Sequence, residues 1–370
     1  MMESTVTRLK RMYLWPTASV TSRKPAFFLI TFSCFLLYGS VMHLIVNDIS
    51  MEEVHVIETT AGQFGVLYYL TLFTIYRKGI LEIYADLSNF TKFGKPYNFD
   101  KRNKQLNQWS RWFSVVLYFF VISVFAWPGI FTQSCEDLNV ALNKTEVCGV
   151  VSPVWLPFRF DYKPMKQFVY FWQSFCCLYS NGGAGTISFA MSETIEHLIL
   201  RVEDLKILFP KIVAERSPEV RRKMLAKWVD YHLWLLSIGK LMNDTYRYSF
   251  SVIVLCAGTL FGCIGYTVMK NASTNFNSSF IFFGWMESVF VICVCGQRLM
   301  DAFHSVGTTV YNSEWCDTDV DFQKGVILIT IRAQKPVRIY AGPFSYVSHL
   351  LILTVFQTSY SYINLLNASS

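Results

Sequence analysis

Charge is scarce in this 370-residue chain: 16% of residues are Asp, Glu, Lys or Arg, against 52% hydrophobic and 17% aromatic. Clusters that could carry chemistry are scarcer still. The six histidines (His43, His55, His197, His232, His304, His349) are scattered, with no HExxH spacing and no CxxC pair beside them, so no metal and no cofactor is expected. Catalysis within a membrane needs paired acids or a Ser/His pair in the apolar runs; neither occurs, and an enzyme is not expected. Gly182-Gly183-Ala184-Gly185 follows no strand and is not a phosphate loop; small residues there favour close helix contact or a local break over a ligand role. Internal repeats, low-complexity tracts and the inverted hydropathy symmetry of many transporters are also missing.

What the chain does have is long charge-poor runs. A spanning helix needs about 20 mostly apolar residues with every backbone group satisfied internally. Pro25 to Asn47, Thr59 to Tyr76, Trp112 to Cys135, Gln167 to Ser192 and Tyr248 to Met269 qualify. A sixth run, Ser279 to Gln297, carries Glu287, and a seventh runs from Pro343 to Leu366. The expected fold is an all-α membrane protein of seven transmembrane helices.

Of the 33 Lys and Arg residues, 28 fall before the first run, between the second and third, between the fourth and fifth, or from Arg298 to Arg338. The positive-inside rule then gives a cytoplasmic N-terminus (residues 1–25) and an extracellular C-terminus, and the +7 balance reads as loops facing anionic lipid, with no nucleic-acid role. The sequons at Asn143, Asn271 and Asn277 fall on the outer face as expected glycosylation sites, whereas Asn89 would stay inside, unmodified. The first apolar run exceeds a signal-peptide core and lacks a small-residue cleavage site, so it reads as a retained helix.

The cytoplasmic stretch 193–247 reads as two amphipathic helices. Ile195, Leu198, Ile199, Val202, Leu205, Leu208 and Phe209 recur at helical spacing, Pro210 is expected to end the helix, and Ser217-Pro218 starts a second one that runs on into the fifth span. Their apolar stripes are covered either by one another, in a packed intracellular subdomain that could hold subunits together, or by the lipid surface. Six of the ten cysteines lie within spans as buried thiols; Cys135 and Cys148 share the oxidising side, where a disulfide is expected.

Glu287, the one acid inside these runs, either faces a water-filled cavity or a bundle partner, or lies near a helix end. Aromatic and hydroxyl residues in the outer halves form sets: Phe64, Tyr68 and Tyr69; Phe120, Ser123 and Trp127; Trp172, Phe175 and Tyr179. Spacings of three and four put each of the last two sets on one helix face. Such faces suit an apolar pocket for a small volatile organic ligand, and ordinary helix packing explains each residue equally well.

The last sixty residues resemble one family. Tyr311-Asn312-Ser313-Glu314-Trp315, then Phe322 and Lys324, Arg332-Ala333-Gln334-Lys335-Pro336, Ala341-Gly342-Pro343-Phe344 and Thr358-Ser359-Tyr360-Ser361-Tyr362 stand in the order seen in insect odorant receptors. With the seven spans and His232-Leu233-Trp234-Leu235-Leu236, the resemblance covers nearly the whole chain. It implies a tuning subunit of a ligand-gated, non-selective cation channel, joined to a co-receptor in a heterotetramer in the plasma membrane of sensory neuron dendrites. It implies transmembrane helices 1–6 over 26–297, with a pocket in the outer part of helices 2 to 6 that would include Tyr266. It implies a split seventh helix, its first half and the anchor over 298–342 and its pore-lining half over 343–370. Lys335-Pro336 and Gly342-Pro343 interrupt the helix where that split is needed. His232, Trp315, Arg332, Gln334, Lys335, Pro336 and Arg338 would belong to the anchor. Ile363 would be the hydrophobic constriction, with Tyr360, Asn364 and Asn367 near the pore; helix or lipid contact is the other reading of Ile363. A gustatory-type receptor channel of the same fold is the nearer rival, and a G-protein-coupled receptor, which needs the opposite orientation, the more distant one.

Overall fold

The computed structural model describes residues 1–16, 24–46, 54–130, 132–142, 147–270 and 276–369. Its helices are α1 (Glu3–Arg11), α2 (Lys24–Val46), α3 (Val54–Ile75), α4 (Arg77–Ser88), α5 (Phe99–Ile130), α6 (Thr132–Leu142), α7 (Met165–Val213), α8 (Pro218–Lys270), α9 (Phe276–Tyr311), α10 (Val320–Ala333) and α11 (His349–Ser369). A short antiparallel hairpin, β1 (Tyr340–Ala341) with β2 (Ser345–Tyr346), separates α10 from α11.

Each of the seven charge-poor runs falls mainly on one helix: α2, α3, α5, α7, α8, α9 and α11. Among the described residues, α2, α5, α8 and α9 contain stretches long and apolar enough to cross a membrane on composition alone. The other three are diluted by Glu58, Thr59 and Gln63 in α3, by Gln173, Ser174 and Asn181 in α7, and by Gln357, Ser359 and Ser361 in α11. Polar groups at membrane depth need protein or water beside them. Accordingly α7 runs through the centre of the bundle, buried without interruption from Gly182 to Ile199.

Helix length explains the packed subdomain at one end of the bundle. At 1.5 Å per residue, the 49 residues of α7 and 53 of α8 extend roughly 75–80 Å, more than twice the ~30 Å hydrocarbon core. The expected amphipathic helices are therefore continuations of α7 and α8, and Pro210 does not end the first of them. The helix continues to Val213, because Phe209 and Ile212 are locked in the core while Pro210 sits within its last turn. Ile195, Leu198, Val202, Leu205 and Phe209 bury against Trp228, Leu235, Phe322 and Val326, so the stripes cover one another.

The cation-rich segments meet at this end of the bundle, called the basic end below. Glu196 of α7, 4% exposed, accepts from Arg102 of α5 at 2.6 Å and Arg298 of α9 at 2.5 Å. Arg201 is fully buried; its Nη2 donates to the carbonyls of Leu87 and Asn89, both at 2.9 Å, and its guanidinium lies over Phe90 and Trp234. The N-terminal segment is built into this end as well: Thr5 Oγ1 donates to Glu193 at 2.7 Å and shares a hydrogen bond with Ser110, while Leu9 is fully buried.

Burial at the basic end pushes His197 down to about 3 and His232 to about 4. Desolvation is the main cause for both, with Arg332 adding to the effect on His232. His232 lies against Trp228, and Trp315 Nε1 donates to the carbonyl of Tyr311. Arg332 caps the end of α10 by donating to the Lys335 carbonyl at 2.8 Å. Gln334 and Lys335 are exposed there, while Pro336 is half-buried. Gly342 has φ 59°, and a Cβ on it would meet Ser251 Oγ at 2.5 Å, so the turn into β2 needs a glycine.

Two further expectations change. The third run is covered by two helices, α5 ending at Ile130 and α6 beginning at Thr132, and Cys135 lies on α6. Cys148 is disulfide-bonded, whereas the side chain of Cys135 lies outside the described residues, as do those of Asn143, Asn271 and Asn277. At Asn89, Oδ1 accepts from both the backbone N–H and the hydroxyl of Thr91, which occupies the side chain in a turn.

Candidate ligand-binding site

At the end of the bundle away from the basic end, α3, α5, α7 and α9 enclose a cavity of about 140 Å³. Small residues make the room. Gly62 and Gly65 on α3, Ala184 and Gly185 on α7 and Gly284 on α9 all stand in its wall. Two of these also allow close approach: a Cβ on Gly65 would lie 2.4 Å from Cys256 Sγ, and one on Gly185 would lie 2.3 Å from Leu117 Cδ2. The Gly182–Gly185 stretch is thus a helix-contact surface on an unbroken helix, with Gly182 against Tyr118 and Gly183 against Leu14.

Five aromatic rings, Tyr69, Phe120, Phe125, Phe280 and Trp285, stand in the remaining wall beside aliphatic residues such as Val66, Leu117 and Ile281. The polar atoms are few and placed with care. Glu58 is buried, with Oε2 accepting from Ser278 at 3.3 Å and Oε1 lacking any partner. Gln63 Nε2 also has none. The Tyr69 hydroxyl accepts from Ser188 at 3.2 Å and contacts Met191 Sδ at 3.4 Å. Over one side lies the Val151–Ser152 segment, pinned by Gln173, whose Oε1 accepts from the Val151 N–H at 2.7 Å and whose Nε2 donates to the Ser152 carbonyl at 2.8 Å.

Of the nine described residues among the ten expected at a pocket, Tyr69 and Phe120 line this cavity. Phe64 and Tyr68 stack on each other on an exposed face, and Ser123 is turned back onto its own helix, donating to the Phe119 carbonyl. Trp172 and Phe175 meet Phe32 of α2 edge-on, while Tyr179 lies in the main core and Tyr266 in a small cluster with Val54 and Cys263. The Trp127 side chain lies outside the described residues. The spacing argument failed because several faces of one helix carry aromatics, and only packing selects the inward one.

Glu58, Gln63, Asn181, Phe280 and Trp285 went unread. Glu58 sits just before the apolar run that begins at Thr59, but α3 begins at Val54 and takes it inside the bundle. Glu287, the acid expected to matter, lies well within α9 and half-buried; it is not at a helix end and not in the cavity wall.

The second candidate feature is α11. Val355 and Ser359 face the bundle, and the Ser359 hydroxyl donates to the carbonyl of Gly258 on α8 at 3.1 Å. Ile363 lies on this side too, since a Cβ on Gly265 would be 2.5 Å from its Cδ1. In the single chain Ile363 packs on α8, and its expected place at a constriction belongs to an assembly of several chains. Tyr360, Asn364 and Asn367 lie on the exposed side, with Leu353 and Gln357.

Comparison with known proteins identifies the architecture. The family described as 7tm Odorant receptor matches residues 51–360. Odorant receptor 85c of Drosophila melanogaster is 21% identical over 262 residues, which cover 68% of this chain and 66% of that protein. Odorant receptor 85f of the same fly is 26% identical over 161 residues, covering 42% of this chain and 41% of that one. The chain thus spans less than two thirds of the length of these relatives. In fold it is similar to the insect olfactory receptor OR5 from Machilis hrabei, solved in complex with eugenol, with a TM-score of 0.80 at 11% identity over 100% of this chain and 99% of that one. Matched over most of its length and folded as these receptors are, the chain belongs to the 7tm odorant receptor family.

Proposed function

We propose that this chain is the odorant-binding subunit of a ligand-gated, non-selective cation channel, assembled with a co-receptor in a heterotetramer in the plasma membrane of sensory neuron dendrites. The observation that carries the reading is the coexistence of a cavity walled in part by aromatic rings with a helix, α11, that leaves Leu353, Gln357, Tyr360 and Asn364 exposed along one stripe. In a tetramer, four such stripes around an axis would line a pore with amides and hydroxyls, which suits cations passing with part of their hydration. The cation-rich segments gathered at one end support an orientation with the amino end inside the cell, by the positive-inside rule.

α11 lies along α8, and α8 packs against α3, which walls the cavity. Occupancy therefore biases the pore through helices in direct contact, provided the ligand binds the open arrangement more tightly than the closed one. Recording currents from cells expressing the chain with and without an odorant receptor co-receptor, across an odorant panel, tests this. Odorant-evoked, non-saturating cation currents that need both chains are expected; responses that require G proteins and no co-receptor would sink the channel reading.

A further inference from the structure

The wall of the cavity is mostly apolar and aromatic, its polar residues Thr59, Gln63, Ser152, Asn181, Ser188 and Ser288 are neutral, and its single carboxyl group is half-satisfied. Glu58 is 1% exposed, Ser278 is its one hydrogen-bond donor, and Oε1 has no partner. No Lys, Arg or His stands among the described residues of the wall. A buried carboxylate without a cation is costly, and a ligand that supplies the missing donor and positive charge recovers much of that cost. Around it stand Tyr69, Phe120, Phe125, Phe280 and Trp285. Ring faces attract cations, and one acid among aromatic rings is the arrangement that recognises an ammonium group.

Resting on the receptor reading above, we infer that the cavity takes a small amine, its nitrogen bonded to Glu58 Oε1 and its hydrocarbon body held among the rings. The volume of about 140 Å³ limits that body. A cavity of roughly 150 Å³ in another protein holds benzene, so a ligand of about six to ten non-hydrogen atoms is the right size. A neutral alcohol can donate to the same oxygen, but it brings no charge and gains little from the ring faces.

Three probes of one shape separate these terms: benzylamine, benzyl alcohol and toluene. Their binding to the purified full-length chain in lipid nanodiscs is followed by tryptophan fluorescence, since Trp285 stands in the wall. Benzylamine is expected to bind at least tenfold more tightly than either neutral probe. Glu58→Gln should remove that advantage while leaving toluene within twofold, and Glu58→Asp, which keeps the charge but withdraws it by one methylene, should remove part of it. Benzylamine binding no tighter than toluene in the unmodified chain overturns the inference whether or not the variants fold; so does an unchanged benzylamine affinity in a Glu58→Gln chain that still binds toluene. Currents recorded in parallel with the co-receptor keep the two claims apart. Amine binding without any evoked current would count against the channel reading alone, and currents evoked equally by all three probes would count against the amine alone.

Discussion

The two ends of this bundle solve opposite problems with similar helices. At the basic end the central charges are paired: Glu196 sits between Arg102 and Arg298, and Arg201 is held by two carbonyls and two rings, while Glu193 Oε1, Arg201 Nη1 and both His197 nitrogens have no partner. At the other end, Glu58 Oε1 and Gln63 Nε2 are left without partners beside an open cavity. Both ends carry unmet hydrogen bonds, and the second is set apart by the free space beside them, walled by aromatic rings, that a ligand can fill. The difference supports reading the first region as scaffold and the second as the candidate ligand site.

Arg201→Ala gives the strongest test of the scaffold half. It strands the carbonyls of Leu87 and Asn89 and leaves a large hole, at a cost of about 4 kcal/mol, so folded protein recovered by size exclusion should fall sharply. Wild-type yield and melting temperature would mean that the basic end is not the scaffold. Glu196→Gln should cost about 3 kcal/mol, the low end for breaking a buried pair because Arg298 is partly solvated. Thermal melts of the variant beside the unmodified chain measure it.

Acid should weaken the same end. With His197 and His232 held neutral when folded, at about 3 and about 4, the unfolded chain takes up protons below pH 6.5 that the folded chain does not. Stability attributable to them is present above that pH and is lost as pH falls toward 4. Melting temperature should therefore drop between pH 7 and 5, less steeply in His232→Gln; identical slopes would remove His232 from the account.

At the cavity end, Trp285→Ala should raise the half-maximal odorant concentration about tenfold, roughly 1.4 kcal/mol, while Phe64→Ala should change it less than twofold. Equal effects would erase the distinction between inward and outward aromatics. Smallest is Ile363→Ala, which trims a half-buried contact with Gly265 worth about 1 kcal/mol and should lower the melting temperature while basal current stays near wild type. A large leak without lost stability would return Ile363 to the pore.

Those contrasts also mark how far the sequence could be read. Apolar runs located the spanning helices, and the motifs from Tyr311 to Tyr362 pointed to the family that the chain proved to match. Lys335-Pro336 and Gly342-Pro343 marked the interruption, now seen as a hairpin between α10 and α11. The cavity was legible only through Tyr69 and Phe120. Phe64, Tyr68, Trp172 and Phe175 have the same character and spacing, but a helix can bury only some of its faces, and its neighbours decide which. Ile363 makes the point on α11, where the register of Ser359 on Gly258 and of Ile363 on Gly265 sets the rotation.

Hydropathy and charge act along the chain, so the sequence by itself determined how many apolar helices form, how long they are and which segments are rich in cations. Rotation about each helix axis, the gathering of those cations around Glu196 and the enclosure of Glu58 among aromatic rings were decided by tertiary structure. Each of these depends on which distant surfaces meet, and contacts such as Gly65 on Cys256 or Gly185 on Leu117 fix that only once the helices have packed.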